Sequence, residues 1–156
     1  MADGKRTYLV VIDDSDEARV ALRFAAQRAA KTGGATEVLA IVEAQDFVQW
    51  GGVQAAIEEE QGLRIEAIVA ASLDELGGTQ VVRPDAILIR QGEPAAVVRE
   101  LIGSRADIAA LVLGAAPSGD PGPLVSAFAG HDAGQLPCPV MIIPGGLSDE
   151  RLEQLS

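Results

Sequence analysis

The chain has one cysteine, Cys138, and one histidine, His131. A lone cysteine makes no internal disulfide, and no second Cys or His stands near either residue to complete a metal site. A reducing, cytoplasmic setting fits, with Cys138 as a buried thiol and His131 as a surface or boundary helix residue. Long apolar runs are missing too. Tyr8 to Ile12 and Val140 to Ile143 fall far below the roughly 20 residues that span a bilayer, so no membrane span is expected. Lys5 and Arg6 precede a five-residue run that ends at Asp13-Asp14, too short for a secretory h-region. The expectation is a chain that begins without a leader. Basic residues are scarce, 12 against 23 acidic, and the net charge of −11 repels a nucleic-acid backbone where no basic patch reverses it. Glu58-Glu59-Glu60 reads as a solvated helix face.

Several catalytic and nucleotide motifs are also absent. No Gly-x4-Gly-Lys-Ser/Thr segment occurs, and Lys31-Thr32-Gly33-Gly34 falls at a helix end, where the dipole disfavours phosphate. No Gly-x-Gly-x-x-Gly follows the first strand, and no Gly-x-Ser-x-Gly elbow offers a serine nucleophile. With no nucleophile beside a base, the chain is expected not to be an enzyme.

What is present is an alternation. At 156 residues, 48% apolar, the chain is the size of one domain and buries a core without staples. Tyr8 to Ile12 suits a strand covered on both faces. Asp14 or Ser15 caps the next helix, with Glu17 completing a capping box from Asp14, and Ala18, Ala21, Leu22, Ala25 and Ala29 share one face. Gly33-Gly34 stops that helix. Glu37 to Val42 is a second strand, and Glu43 to Gly52 a connection whose Phe47 and Trp50 serve either local packing or stacking. A long helix follows with the stripe Ile65, Ile68, Val69, Ser72 and Leu76, closed by Gly77-Gly78. Ala86 to Ile89 is a third strand. Gly92-Glu93-Pro94 starts a short helix ending near Gly103. Ile108 to Leu113, Pro123 to about Ala133 and Val140 to Ile143 read as strand, helix and strand. Ser148 caps a short helix through Leu155 in the 145–156 tail. Helical crossovers between strands imply right-handed connections and one parallel sheet covered on both sides, an α/β domain of three α/β/α layers over residues 1–156.

The most informative segment is Leu111 to Gly114 with the loop Ala115 to Pro123. A strand that ends in glycine and opens into a loop before a helix is where such sheets bind anions. The residues conflict with the place. Pro117, Pro121 and Pro123 carry no N–H, and Asp120 adds negative charge. Asp13-Asp14, at the end of the first strand, suggests a Mg²⁺ site of the receiver type. That reading fails by position, because the third strand ends in Arg90-Gln91 and the fifth in Pro144-Gly145. Two readings of the pair remain open, a helix cap with a solvated strand end or a ribose contact through Asp13.

Leu9 to Ser15, Val38 to Glu43, Gly92-Glu93-Pro94-Ala95, Leu111 to Gly114 and Leu136-Pro137-Cys138-Pro139-Val140, in this order, resemble the universal stress protein family across nearly the whole chain. The resemblance implies an adenine-nucleotide alpha-hydrolase-like fold with a five-stranded parallel sheet of order 3-2-1-4-5. It also implies a homodimer through the fifth strand, Val140, Met141, Ile142 and Ile143, an apolar edge that needs cover. Nucleotide-binding members carry Gly-x2-Gly-x9-Gly-Ser/Thr after the fourth strand. Here Gly114 matches, Pro117 replaces the second glycine, and Ser126-Ala127 stands one residue short of Gly-Ser. Two lost donors at a polyphosphate, each worth about 1.5 to 3 kcal/mol, turn micromolar binding into millimolar. Gly119, Gly122 and Ser126 offer a different cradle. If nucleotide binds, the resemblance places Asp13 at the ribose, Ile41 main chain at adenine, Gly114 beside the sugar and Ser126 near phosphate. The first expectation is a non-enzymatic stress-response module with a degenerate ATP loop and no cofactor. The alternative is a member that binds ATP, with Mg, and hydrolyses it slowly if at all.

Overall fold

Thr7–Val11 forms β1, and its apolar, β-branched side chains feed both faces of the sheet. The computed structural model describes residues 6–42, 51–74, 82–131 and 133–156. β1 pairs in parallel with β2 (Ala35–Val42) on one side and β4 (Ile108–Ala115) on the other. β3 (Val82–Gln91) and β5 (Val140–Pro144) form the edges, giving the order β3-β2-β1-β4-β5 with every pairing parallel. Parallel neighbours need a crossover, and α1 (Asp16–Thr32), α2 (Gly51–Asp74), α3 (Pro94–Ser104) and α4 (Pro123–Phe128) supply them. A last helix, α5 (Asp149–Leu155), follows β5.

The two-residue period of the strands splits the core. Tyr8, Val10, Val38 and Val112 pack with α1, Val69 of α2 and Leu152 of α5. Leu9, Leu39, Leu111 and Leu113 pack with Val98 and Ile102 of α3 and Phe128 of α4. Burying each such side chain contributes roughly 1.5 to 3 kcal/mol, so the central strands carry much of the stability.

Local chemistry sets the helix ends. Ser15 is the N-cap of α1, its hydroxyl accepting the Ala18 N–H at 3.2 Å, and Gly33 ends the helix at φ 73°. The capping box read from Asp14 to Glu17 is therefore corrected. With Ser15 at the cap the third helical position is Ala18, and the Asp14 carboxylate pairs with Arg64 of α2 instead. Glu93 caps α3 through the N–H groups of Ala95 and Ala96, with Pro94 in the first turn. Ser148 caps α5, whose Leu152 is fully buried, so this part of the tail belongs to the core.

The structure moves several boundaries. β2 begins at Ala35 because the Ala35 N–H already donates to the Arg6 carbonyl. β3 runs from Val82 to Gln91 and includes Pro84, which an edge strand tolerates. β4 extends through Gly114 to Ala115. α4 stops at Phe128 instead of near Ala133; Gly130, about 1 kcal/mol less favourable in a helix than alanine, comes two residues later. His131 thus lies in an exposed turn rather than on a helix. Phe47, Trp50, Leu76 and Gly77-Gly78, with most of the Glu43 to Gly52 connection, lie outside the described residues, as do the side chains of Glu58 and Ser72.

At the amino ends of the strands Arg105 ties three segments together. Its Nη1 donates to Glu37 Oε1 at 2.6 Å, while Nε and Nη2 grip the two Asp107 oxygens at 3.0 and 2.6 Å. Thr7 Oγ1 also donates to Asp107. Glu37 is 8% exposed, and without this fork its charge would be buried unpaired. The Arg105 guanidinium, and secondarily the Thr7 hydroxyl, hold the Asp107 carboxyl below its ordinary value against the opposing effect of burial. A carboxyl lowered in the folded state stabilises above its unfolded pKa, about 3.9, and loses that contribution as pH falls through the folded value. Urea unfolding at neutral pH should find Asp107→Asn less stable by about 1 kcal/mol, a figure kept low for solvent exposure. The wild-type advantage over this variant should disappear as pH falls through the lowered folded-state value of Asp107; an advantage that persists once the carboxyl is protonated in both states would contradict the assignment.

Candidate functional site

Ligands of parallel α/β sheets bind at the carboxyl ends of the strands, and Asp13 occupies that position after β1. Cavities open on both sides of it. One, about 110 Å³, lies between the end of β4 and the start of α4, with Asp13, Ser15, Glu17, Gly114 and Gly122 in its lining. The other, about 210 Å³, lies between β2 and α2 and includes Asp13, Asp14, Ile41, Gln61 and Arg64. The fold thus brings Asp13 to both cavities, Gly114 to the first and Ile41 to the second. Ser126 lines neither cavity. It is exposed on α4, and its N–H donates to the Gly122 carbonyl at 3.1 Å.

Asp13 serves a local function first. Its Oδ1 accepts the Ser15 N–H at 2.8 Å and also the Ser15 hydroxyl, which in turn caps α1. Asp13 borders both cavities, and a carboxylate has lone pairs left to accept from a further hydroxyl. The bond from Asp13 to the capping Ser15 is therefore geometrically compatible with a ligand contact by Asp13.

Gly114 has a packing reason to be glycine. A Cβ there would sit 2.1 Å from the Glu17 carbonyl oxygen and 2.5 Å from its carbon, both backbone atoms at the start of α1. Gly145 meets the same wall, a Cβ falling 2.7 Å from the Ala115 carbonyl and 2.8 Å from Glu17 Cβ. The first turn of α1 is seated on these two glycines.

Two N–H donors of the loop from Ala116 to Gly122 are spent within the loop. The Ala116 N–H donates to the Pro121 carbonyl at 3.2 Å, and the Gly122 N–H to Asp120 Oδ1 at 2.8 Å. Gly119 and Gly122 take φ of 76° and 119°, a backbone that side chains rarely adopt, so these glycines let the loop turn back. Pro117, Pro121 and Pro123 contribute no N–H. The charge is adverse as well. Asp13, Asp14 and Glu17 line the two cavities, and Arg64, the cation among the lining residues, is paired with Asp14. Sequence reasoning missed Arg64, because only the packing of α2 over β2 carries it to Asp14.

Elsewhere the chemistry is quiet. Burial pushes the Cys138 thiol up, which disfavours the reactive thiolate despite a partial offset from the Leu111 backbone. Among the described residues no group of three or more His, Cys, Asp or Glu side chains is placed to hold a metal, and no helix is long and apolar enough to cross a membrane.

The model of the universal stress protein family matches residues 5–144. The chain belongs to the universal stress protein family. Among solved structures, the universal stress protein UspA from Lactobacillus plantarum superposes with a TM-score of 0.69 at 18% identity, covering 92% of this chain and 99% of that one. A family protein from Burkholderia pseudomallei matches with a TM-score of 0.58 at 19% identity, over 92% and 99%. A universal stress protein described in complex with cAMP matches with a TM-score of 0.58 at 19% identity, over 90% and 98%. At such identities the likeness to these structures is one of fold. Comparison with curated proteins finds no match.

In this universal stress protein, Gly114→Ala should be destabilised by about 2 kcal/mol or more without any ligand, because its Cβ meets backbone. Urea midpoints measure this; an unchanged midpoint would leave ligand contact as the reason for the glycine.

Proposed function

We propose that this universal stress protein is a non-enzymatic, cytoplasmic stress-response module whose phosphate loop does not hold ATP. The observation that carries the reading is the Asp120 carboxylate on the Gly122 N–H, at the mouth of α4 where a phosphate would need that donor. The carboxylate occupies the donor and repels an incoming anion at once. Three prolines in the loop and the acidic lining around Asp13 act in the same direction. Polyphosphate therefore fits these residues poorly.

A second reading, an ATP-binding member with a divergent loop, draws support from two observations. The cavity beside Asp13 and Ile41 is open, and a structural neighbour is described in complex with cAMP. A thermal-shift titration separates the readings. The first expects no saturable rise in Tm up to millimolar ATP with Mg²⁺, and a saturable rise would sink it. Combining Pro117→Gly with Asp120→Gly should strengthen ATP binding by about tenfold or more, through one recovered donor and one removed charge.

Homodimer formation through β5 belongs to the same proposal. Ile142 is 40% exposed on this edge strand, beside half-buried Val140 and Met141, and an unpaired apolar edge favours a second strand. Sedimentation at micromolar concentration should give a dimer mass, with Ile142→Lys shifting it to monomer. A wild-type monomer would refute the dimer.

A further inference from the structure

The larger of the two cavities beside Asp13 has one cation among its described lining residues, and that cation is answered from within the chain. Arg64 reaches the cavity from α2 and Asp14 from the turn after β1, 50 positions apart, and Arg64 Nη2 donates to Asp14 Oδ2. We propose that Asp14 sets the charge selectivity of this cavity: its carboxylate occupies the Arg64 guanidinium in place of a ligand oxyanion, so that small phosphates are turned away. The inference rests on the reading that this cleft does not hold a polyphosphate, and it assigns part of the exclusion to a residue outside the loop after β4.

Freed from Asp14, the lining suits an oxyanion. A guanidinium presents five N–H donors in a planar fork, and two of them can hold two oxygens of one phosphate. Ile12 and Ala40 are buried and Ile41, Val42 and Ile65 half-buried, so the cavity of about 210 Å³ has an apolar floor. An ion pair against such a floor is screened less than in open water. Gln61, half-buried on the preceding turn of α2, adds a neutral amide to the same lining.

Asp14 competes with an advantage that a free anion lacks. It is tethered, so it meets Arg64 at an effective concentration of roughly millimolar or more, and a dilute anion has to displace it. It also repels an anion that approaches the guanidinium. Asp13 adds to that repulsion from the same cavity, but its Oδ1 is held by Ser15, whereas the Asp14 carboxylate meets Arg64 directly. The side chains of Arg64 and Asp14 are 66% and 52% exposed, so the pair contributes little to stability and either residue can be replaced without loss of the fold.

The test is a titration of the whole protein with inorganic phosphate at constant ionic strength, followed by NMR of the Arg64 side-chain N–H and of the backbone amides. The wild type should show only weak, unsaturated shifts at residues 12–14 and 61–65. Asp14→Asn should bind phosphate there at least about tenfold more tightly, and adding Arg64→Met should remove the gain. Three results would overturn the proposal: wild-type binding at Arg64 as tight as in Asp14→Asn, no gain in Asp14→Asn, or a gain that survives Arg64→Met. Wild-type shifts centred on Gly122 would overturn the reading of the loop instead, and the difference at Arg64 between wild type and Asp14→Asn would still decide the role of Asp14.

Discussion

The first turn of α1 rests directly on backbone at the ends of β4 and β5, and much of the candidate site depends on that close approach. Glu17 contributes the wall that a side chain at Gly114 or Gly145 would strike. Because the helix sits so close, Ser15 caps it within reach of Asp13, and Asp13 stands between the two cavities. Moving α1 outward to admit a Cβ would also move the cap, the carboxylate and the wall of the smaller cavity. A glycine that looks like a ligand residue in sequence thus has a sufficient reason in packing.

The same region joins a strand-to-helix crossover to a loop that bonds to itself. The strand-to-helix crossover after β4 is in place, and α4 starts with Pro123 where free N–H groups would point outward. Yet the loop closes on itself through Ala116 and Pro121, and Asp120 supplies a negative group to Gly122 from within the chain. Opposite, Arg64 answers Asp14 and so does not counter the charges of Asp13 and Glu17. The fold is common ground with the family, and within it the pairings of Asp120 and Arg64 set the charge of this cleft.

Much of the architecture could be read from local patterns. Ser15 and Ser148 at helix starts, Glu93-Pro94 before α3 and Gly33 after α1 act through neighbours two to four residues away, and each is found in that role. The buried stripe of α1 follows its 3.6-residue period. The readings that failed involve competing or distant partners. Asp14 looked like a cap until α2 brought Arg64 to it, and the helix after Pro123, read to about Ala133, stops at Phe128. Glu37 read as an ordinary strand residue, since nothing near it in sequence announces Arg105, 68 positions away. Of the four candidate site residues, Asp13, Ile41 and Gly114 border the cavities where strand ends put them, whereas Ser126 faces solvent on a short helix.

Sequence alone determined the alternation of strands and helices, their caps and the apolar faces, because these follow from periodicity and from contacts within a turn of chain. It also determined the net charge and the loss of N–H donors to proline, which are properties of composition. Tertiary structure decided which charges meet, why Gly114 admits no side chain and where α4 ends. Those outcomes depend on distances between segments far apart in the chain, and such distances exist only once the sheet and its helices have packed.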